Sequence, residues 1–190
     1  MQRVNTMKDL VVIDIETMGI NTDTNQIIGI SSVLLQSQKV TGLKYETWCN
    51  VPNEFGKEAL QIIGKKLGFF EDQPSLSDAI SNLGDFINSR RVVALNPTFC
   101  SALLYKAGLS TEIKIEDALK VVRKNLEGFA PYDYEDFLWC DWLEGPLQRI
   151  QPCCHYLKDD FDTMLIGKFL EISFNQNLRG QLESADWYDD

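Results

Sequence analysis

The residues of this chain best placed to do chemistry are Asp14 and Glu16, two positions apart at the end of Lys8-Asp9-Leu10-Val11-Val12-Ile13-Asp14-Ile15. That short, β-branched, nearly continuous apolar run predicts a buried central strand. The strand period of two then turns both carboxylates to one face. Two carboxylates held together repel each other, and the usual relief is a shared proton or a hard divalent cation. Oxygen-only ligands suit magnesium or manganese. The plain alternative for an isolated Asp-x-Glu is a solvated strand end.

A second cluster lies far along the chain, at His155-Tyr156-Leu157-Lys158-Asp159-Asp160. His155 is the only histidine of the chain. By itself the segment is a weak signal, because aspartate is common and a single histidine is more often a structural or surface residue.

The elements that must position these groups follow from periodicity. Gln26–Gln36 and Thr41–Val51 read as strands, with Ser37-Gln38-Lys39 as a hairpin between them. The period then changes. Lys57–Leu67 and Leu76–Ile87 carry helical apolar stripes, the second with Ser75 or Ser77 as its cap. Arg91–Asn96 reads as a buried strand stopped by Pro97, with Thr98 capping a helix that runs to about Ala107. Ile113–Ile115 is a candidate short strand and Glu116–Leu126 a helix. A long connection over 127–152, with a short helix at Leu143–Ile150, leads to a final helix over His155–Glu171. Antiparallel strands followed by helix–strand alternation predict an α/β fold with a mixed sheet flanked by helices.

Composition bounds the rest. With 190 residues, 44% of them hydrophobic, the chain is expected to form a single domain with its own core. Its five cysteines are odd in number and lack Cys-x-x-Cys spacing, which argues for reduced thiols over a disulfide framework or zinc cluster. No membrane span or signal peptide is expected, and the expected location is cytoplasmic. The formal charge of −10 has the wrong sign for holding nucleic acid by phosphate neutralisation alone. Any such substrate would need metal ions to offset the carboxylates locally.

Val11-Val12-Ile13-Asp14-Ile15-Glu16-Thr17-Met18-Gly19 resembles the first motif of the DEDD exonuclease superfamily, and Glu-Thr-Met-Gly looks most like its phage and bacterial ribonuclease T-type branch. His155 and Asp160 are similar to the third motif, H-x-x-x-x-D, of the DEDDh type. Val92 to Leu104 resembles the second motif, W-x-N-G-x-x-F-D-x-x-x-L, with Asn96, Phe99 and Leu104 in place and Cys100 standing where the family has aspartate. The resemblance spans about residues 9–171 and leaves 172–190 as a polar, acidic tail.

This resemblance implies a ribonuclease H-like mixed sheet, three antiparallel strands and then parallel ones. It also implies a metal-dependent 3′-to-5′ exonuclease that binds the 3′ end of single-stranded DNA or RNA and releases nucleoside monophosphates. Two Mg²⁺ or Mn²⁺ ions are implied. Asp14 would bridge them, Glu16 and Asp160 would complete the nucleophile side, and His155 would take the proton of the attacking water. Thr17, Met18 and Phe99 would lie against the terminal base.

A neutral thiol at Cys100 is a poor ligand for a hard cation and would weaken the second metal site. The alternative reading is therefore a catalytically weakened or inactive exonuclease-like protein that binds nucleic acid or a protein partner, such as a phage accessory factor or inhibitor. A homodimer is a further option, because some ribonuclease T-like relatives dimerise. Lys65-Lys66, Arg90-Arg91 and Arg123-Lys124 are candidate phosphate contacts or solvated faces, and Phe69-Phe70 is a candidate stacking platform or core packing.

Overall fold

The computed structural model describes residues 9–19, 21–50, 65–125 and 170–171. The expected helix over Lys57–Leu67, apart from its last residues, lies outside the described residues. So do the short helix at Leu143–Ile150, the acidic tail and all but the end of the helix over His155–Glu171.

Three strands come first: β1 (Leu10–Thr17), β2 (Ile27–Gln36) and β3 (Lys39–Trp48). After a 3-10 turn at Leu67–Phe70 come α1 (Leu76–Ile87), β4 (Arg91–Ala94), α2 (Pro97–Lys106), β5 (Ile115–Asp117) and α3 (Ala118–Asn125). The strands form one sheet in the order β3-β2-β1-β4-β5. The β1–β2 and β2–β3 pairs are antiparallel, whereas β1–β4 and β4–β5 are parallel. This is the expected ribonuclease H-like mixed sheet.

β1 is central, and its two faces differ. Val11, Ile13 and Ile15 pack in a core with Ala79, Ile80, Leu83 and Ile87 of α1 and Cys100, Leu103 and Leu104 of α2. On the other face Leu10 and Val12 are also buried, and Asp14 and Glu16, half-buried, continue their row. Burial on both sides is why the strand reads as an apolar run with no alternation until the carboxylates. At the sheet's outer edge Val40 of β3 donates its backbone N–H to the Glu171 carboxylate at 3.0 Å. Leu170, beside Glu171, is buried.

Turn and cap chemistry set the boundaries. Ser37 and Gln38 form a two-residue hairpin loop with φ of 49° and 68°, so β3 begins at Lys39, two residues before the expected start. Ser75, not Ser77, caps α1, its hydroxyl accepting from Asp78 N–H. The expected cap at Thr98 is corrected. Asn96 Oδ1 accepts the Phe99 N–H at 3.1 Å, and Pro97 occupies the first helical position, where its missing N–H costs nothing. β4 accordingly ends at Ala94 rather than Asn96. β5 lies two residues later than expected, because β4 pairs Val92 with Ile115 and Ala94 with Asp117. α3 therefore starts at Ala118. Among the described residues, no helix is long and apolar enough to cross a membrane.

Candidate active site

Asp14 stands opposite Ser31 and Glu16 opposite Gly29 in the β1–β2 ladder, so the two carboxylates share a face, as the spacing predicts. Immediately after Glu16 the register shifts. On the other side of β1 the last parallel pair is Val12 with Val93. Beyond it the end of β1 runs alongside the exit from β4 and the first turn of α2. The C-terminal ends of strands at such a point, where the chain leaves on both sides of the central strand, are where α/β folds place ligands.

Gly29 shapes the flank of the pair. A Cβ there would lie 3.2 Å from the Glu16 Cβ and 3.1 Å from the Trp48 ring, and Trp48 is its partner on β3. The absent side chain lets the acid and the indole approach each other across β2. Trp48 meets Phe69 edge-on at 5.9 Å and Phe70 at 5.8 Å, and the Lys65 ammonium lies 5.0 Å from the Trp48 ring centroid and 4.7 Å from that of Phe69. Phe70 is fully buried, so Phe69-Phe70 is not an open stacking platform. Packing under the indole takes precedence. Gly29 and Trp48 were not among the sequence-derived site residues; a glycine inside an Ile-rich strand was the available signal of close approach.

Cys100 lies in the first turn of α2, its N–H donating to Asn96 O at 3.0 Å. Only 2% of the residue is exposed, and burial pushes its thiol pKa far up, with the negative charge of Asp14 adding to the effect. At ordinary pH it is a neutral thiol within electrostatic reach of Asp14. Phe99 is half-buried against the core.

The turn after β1 is internally braced. Thr17 Oγ1 donates to Gly19 O at 2.8 Å, and Met18 N–H donates to Gln26 O at 3.3 Å. A Cβ on Gly19 would come within 3.0 Å of the Asn25 side chain. Lys106, at the end of α2, ties the same loop by donating to Thr22 O and Asp23 O.

The basic pairs separate in the structure. Arg91 makes two 2.8 Å hydrogen bonds to Glu116 across the β4–β5 pair, while Arg90 donates to Phe86 O and faces Asp9 at 3.8 Å. Both arginines therefore have partners within the protein. Lys66 and Lys124 are exposed.

His155 and Asp160 lie outside the described residues. Among the described residues, no group of three or more His, Cys, Asp or Glu side chains is arranged to hold a metal ion. Two half-buried carboxylates on one face are suitable oxygen donors for a hard cation, and the protonated Cys100 thiol is not.

The chain is 26% identical over 139 residues to DNA polymerase III subunit epsilon of Buchnera aphidicola, a match covering 66% of this chain and 60% of that protein. It is 25% identical over 119 residues to the PolC-type DNA polymerase III of Caldanaerobacter subterraneus, covering 60% of this chain but 8% of the relative. The chain thus spans less than two thirds of either. Among solved structures, exonuclease I from Methylocaldum szegediense superposes with a TM-score of 0.62 at 14% identity, over 92% of this chain and 42% of that one. The metal-free E. coli exonuclease I complex with single-stranded DNA gives 0.59 at 12% identity, over 93% and 42%. These structural likenesses speak for the fold. A family model described as Exonuclease, RNase_T, matches residues 11–138, a span that takes in β1 with its carboxylates and α2 with Cys100. With more than half of its length in that match, the chain belongs to the RNase_T exonuclease family, within the DEDD-type 3′-to-5′ exonuclease superfamily.

Proposed function

We propose that the chain is a metal-dependent 3′-to-5′ exonuclease acting on single-stranded DNA or RNA and releasing nucleoside monophosphates. The observation that carries this reading is the placement of Asp14 and Glu16 on one face at the end of the central strand, within electrostatic reach of the first turn of α2. The relatives, a polymerase subunit and an exonuclease bound to single-stranded DNA, agree with it.

Asp14, Glu16 and Asp160 would hold Mg²⁺ or Mn²⁺. Bound metal would supply Lewis-acid stabilisation of the scissile phosphate and a more acidic water. His155 takes the proton from the attacking water on an imidazole nitrogen, and Thr17, Met18 and Phe99 orient the terminal base. Cys100, a buried neutral thiol where the family motif has a carboxylate, leaves the leaving-group side short of one anionic ligand. That feature also favours a second reading, a weakened nuclease whose retained role is to bind nucleic acid or a protein partner.

An oligonucleotide carrying a 5′ label tests the proposal. With Mg²⁺ or Mn²⁺ the label should move stepwise to shorter products, and chelation or Asp14→Ala should stop it. Full-length substrate persisting at high protein concentration, with binding intact, would select the second reading. Parallel ribo- and deoxyribo-oligomers decide the sugar, and sedimentation of the same preparation decides whether it is a homodimer.

A further inference from the structure

We infer that Lys106 is a positioning residue for the 3′-terminal nucleotide: its ammonium pins the loop after β1 against α2 and so sets the separation of Met18 from Phe99. This rests on the exonuclease reading of the Asp14–Glu16 site, in which those two side chains lie against the terminal base. Lys106 Nζ donates to Thr22 O at 2.9 Å and to Asp23 O at 2.7 Å, successive carbonyls that lie 84 and 83 residues earlier in the chain. Because both acceptors are backbone oxygens, the grip fixes the path of the loop rather than the rotamer of one side chain.

The loop is braced to transmit that grip. At its apex Asn21 Oδ1 accepts the Asp23 N–H and Asn21 O accepts the Asn25 N–H, both at 2.9 Å. At its base Met18 N–H donates to Gln26 O, and the Gly19 backbone lies close against the Asn25 side chain. α2 runs alongside. Cys100 in its first turn feels the charge of Asp14, whereas Lys106 in its last turn reaches the loop apex. The helical rise from Phe99 to Lys106 is about 10 Å, so the loop is laid along the helix from the acids to its far end. The β1–β2 register shifts between Glu16 and Thr17, and a swing about that step moves Met18 while Asp14 and Glu16 keep their places in the ladder. Loss of the Lys106 contact should therefore loosen the hold on the terminal base more than it slows the chemistry.

The test compares two short 5′-fluorescein oligothymidylates, one ending in an ordinary 3′ thymidine and the other in an abasic 3′ residue. Affinity is followed by anisotropy with Ca²⁺ as a slow-cleaving metal, and KM and kcat are measured with Mg²⁺ or Mn²⁺. Lys106→Met should weaken binding of the ordinary strand, and raise its KM, about five- to tenfold. Its kcat should stay within about twofold of the wild type. On the abasic strand variant and wild type should agree, since no base is there to be held. Lys106→Arg, whose guanidinium can serve both carbonyls, should restore the loss. Lys114→Ala removes a like charge whose ammonium bonds Thr111 O in its own turn, and should change nothing. Unaltered binding in Lys106→Met, an equal loss on both strands, or an equal loss in Lys114→Ala overturns the assignment while leaving the exonuclease reading standing. Wild-type protein that binds both strands but cleaves neither overturns the exonuclease reading, and the binding comparison then still decides the role of Lys106. Wild-type protein that binds neither strand overturns both.

Discussion

Gly29 stands directly opposite Glu16, and the missing side chain on β2 lets the carboxylate share its surroundings with the Trp48 indole. The contact is tight enough that one methyl group has nowhere to go without displacing the ring or the acid.

Gly29→Ala is therefore expected to destabilise the fold by about 1–3 kcal/mol, the usual range for forcing a carbon into packed space. It should also reduce exonuclease activity by moving Glu16. Urea denaturation and initial rates measure the two effects. Native stability together with native activity would show that the space above Gly29 relaxes freely.

Cys100→Asp should behave differently with and without metal. A carboxylate at a position 2% exposed and near Asp14 is desolvated and repelled, so the metal-free variant should melt below the wild type. Mg²⁺ or Mn²⁺ should raise its melting temperature more than that of the wild type, and turnover should rise by about tenfold or more, equivalent to about 1.4 kcal/mol of transition-state stabilisation. A variant whose melting ignores metal would place Cys100 outside the ion's reach.

Asn96→Ala should cost about 1 kcal/mol by stripping the cap from α2, and Asn96→Asp should retain most of the stability. Thr98→Ala should cost little. The reverse ranking in denaturant melts would mean that α2 begins where the sequence alone places it. Because Phe99 and Cys100 ride in that first turn, the cap also governs the side of the site facing Asp14.

The Arg91–Glu116 pair gives a pH signature. Hydrogen bonding from Arg91 holds the Glu116 pKa below its ordinary 4.5, so its stabilisation is complete above that value and disappears as pH falls through the lower folded-state value. The pair is over a third exposed, and its worth is about 0.5 kcal/mol after screening. Wild type and Glu116→Gln should differ by that amount at neutral pH and converge in acid. A constant difference would assign the effect to packing.

Much of this arrangement was legible in the residues. β1 announced itself because burial on both faces leaves an apolar run that only the Asp14–Glu16 row interrupts, and α1 because of its apolar stripe, although Ser75 and Ser77 were both open as its cap. The beginning of α2 was misplaced because Asn96 and Thr98 are both good caps by type, and only the position of Pro97 decides between them. β5 was shifted because a three-residue strand carries little pattern of its own and takes its register from β4. The Glu16–Gly29–Trp48 row was not legible, since it depends on cross-strand pairing that no local window contains. His155 and Asp160, legible as a motif, belong to the part of the chain outside the described residues.

The bond from Val40 to Glu171 joins positions 131 residues apart. During synthesis the outer margin of β3 emerges from the ribosome long before the carboxylate that occupies its amide, and an uncovered strand margin is a template for pairing with other chains. Vulnerability to aggregation should therefore be concentrated in the interval before Glu171 arrives, and truncation upstream of Glu171 would make that interval permanent.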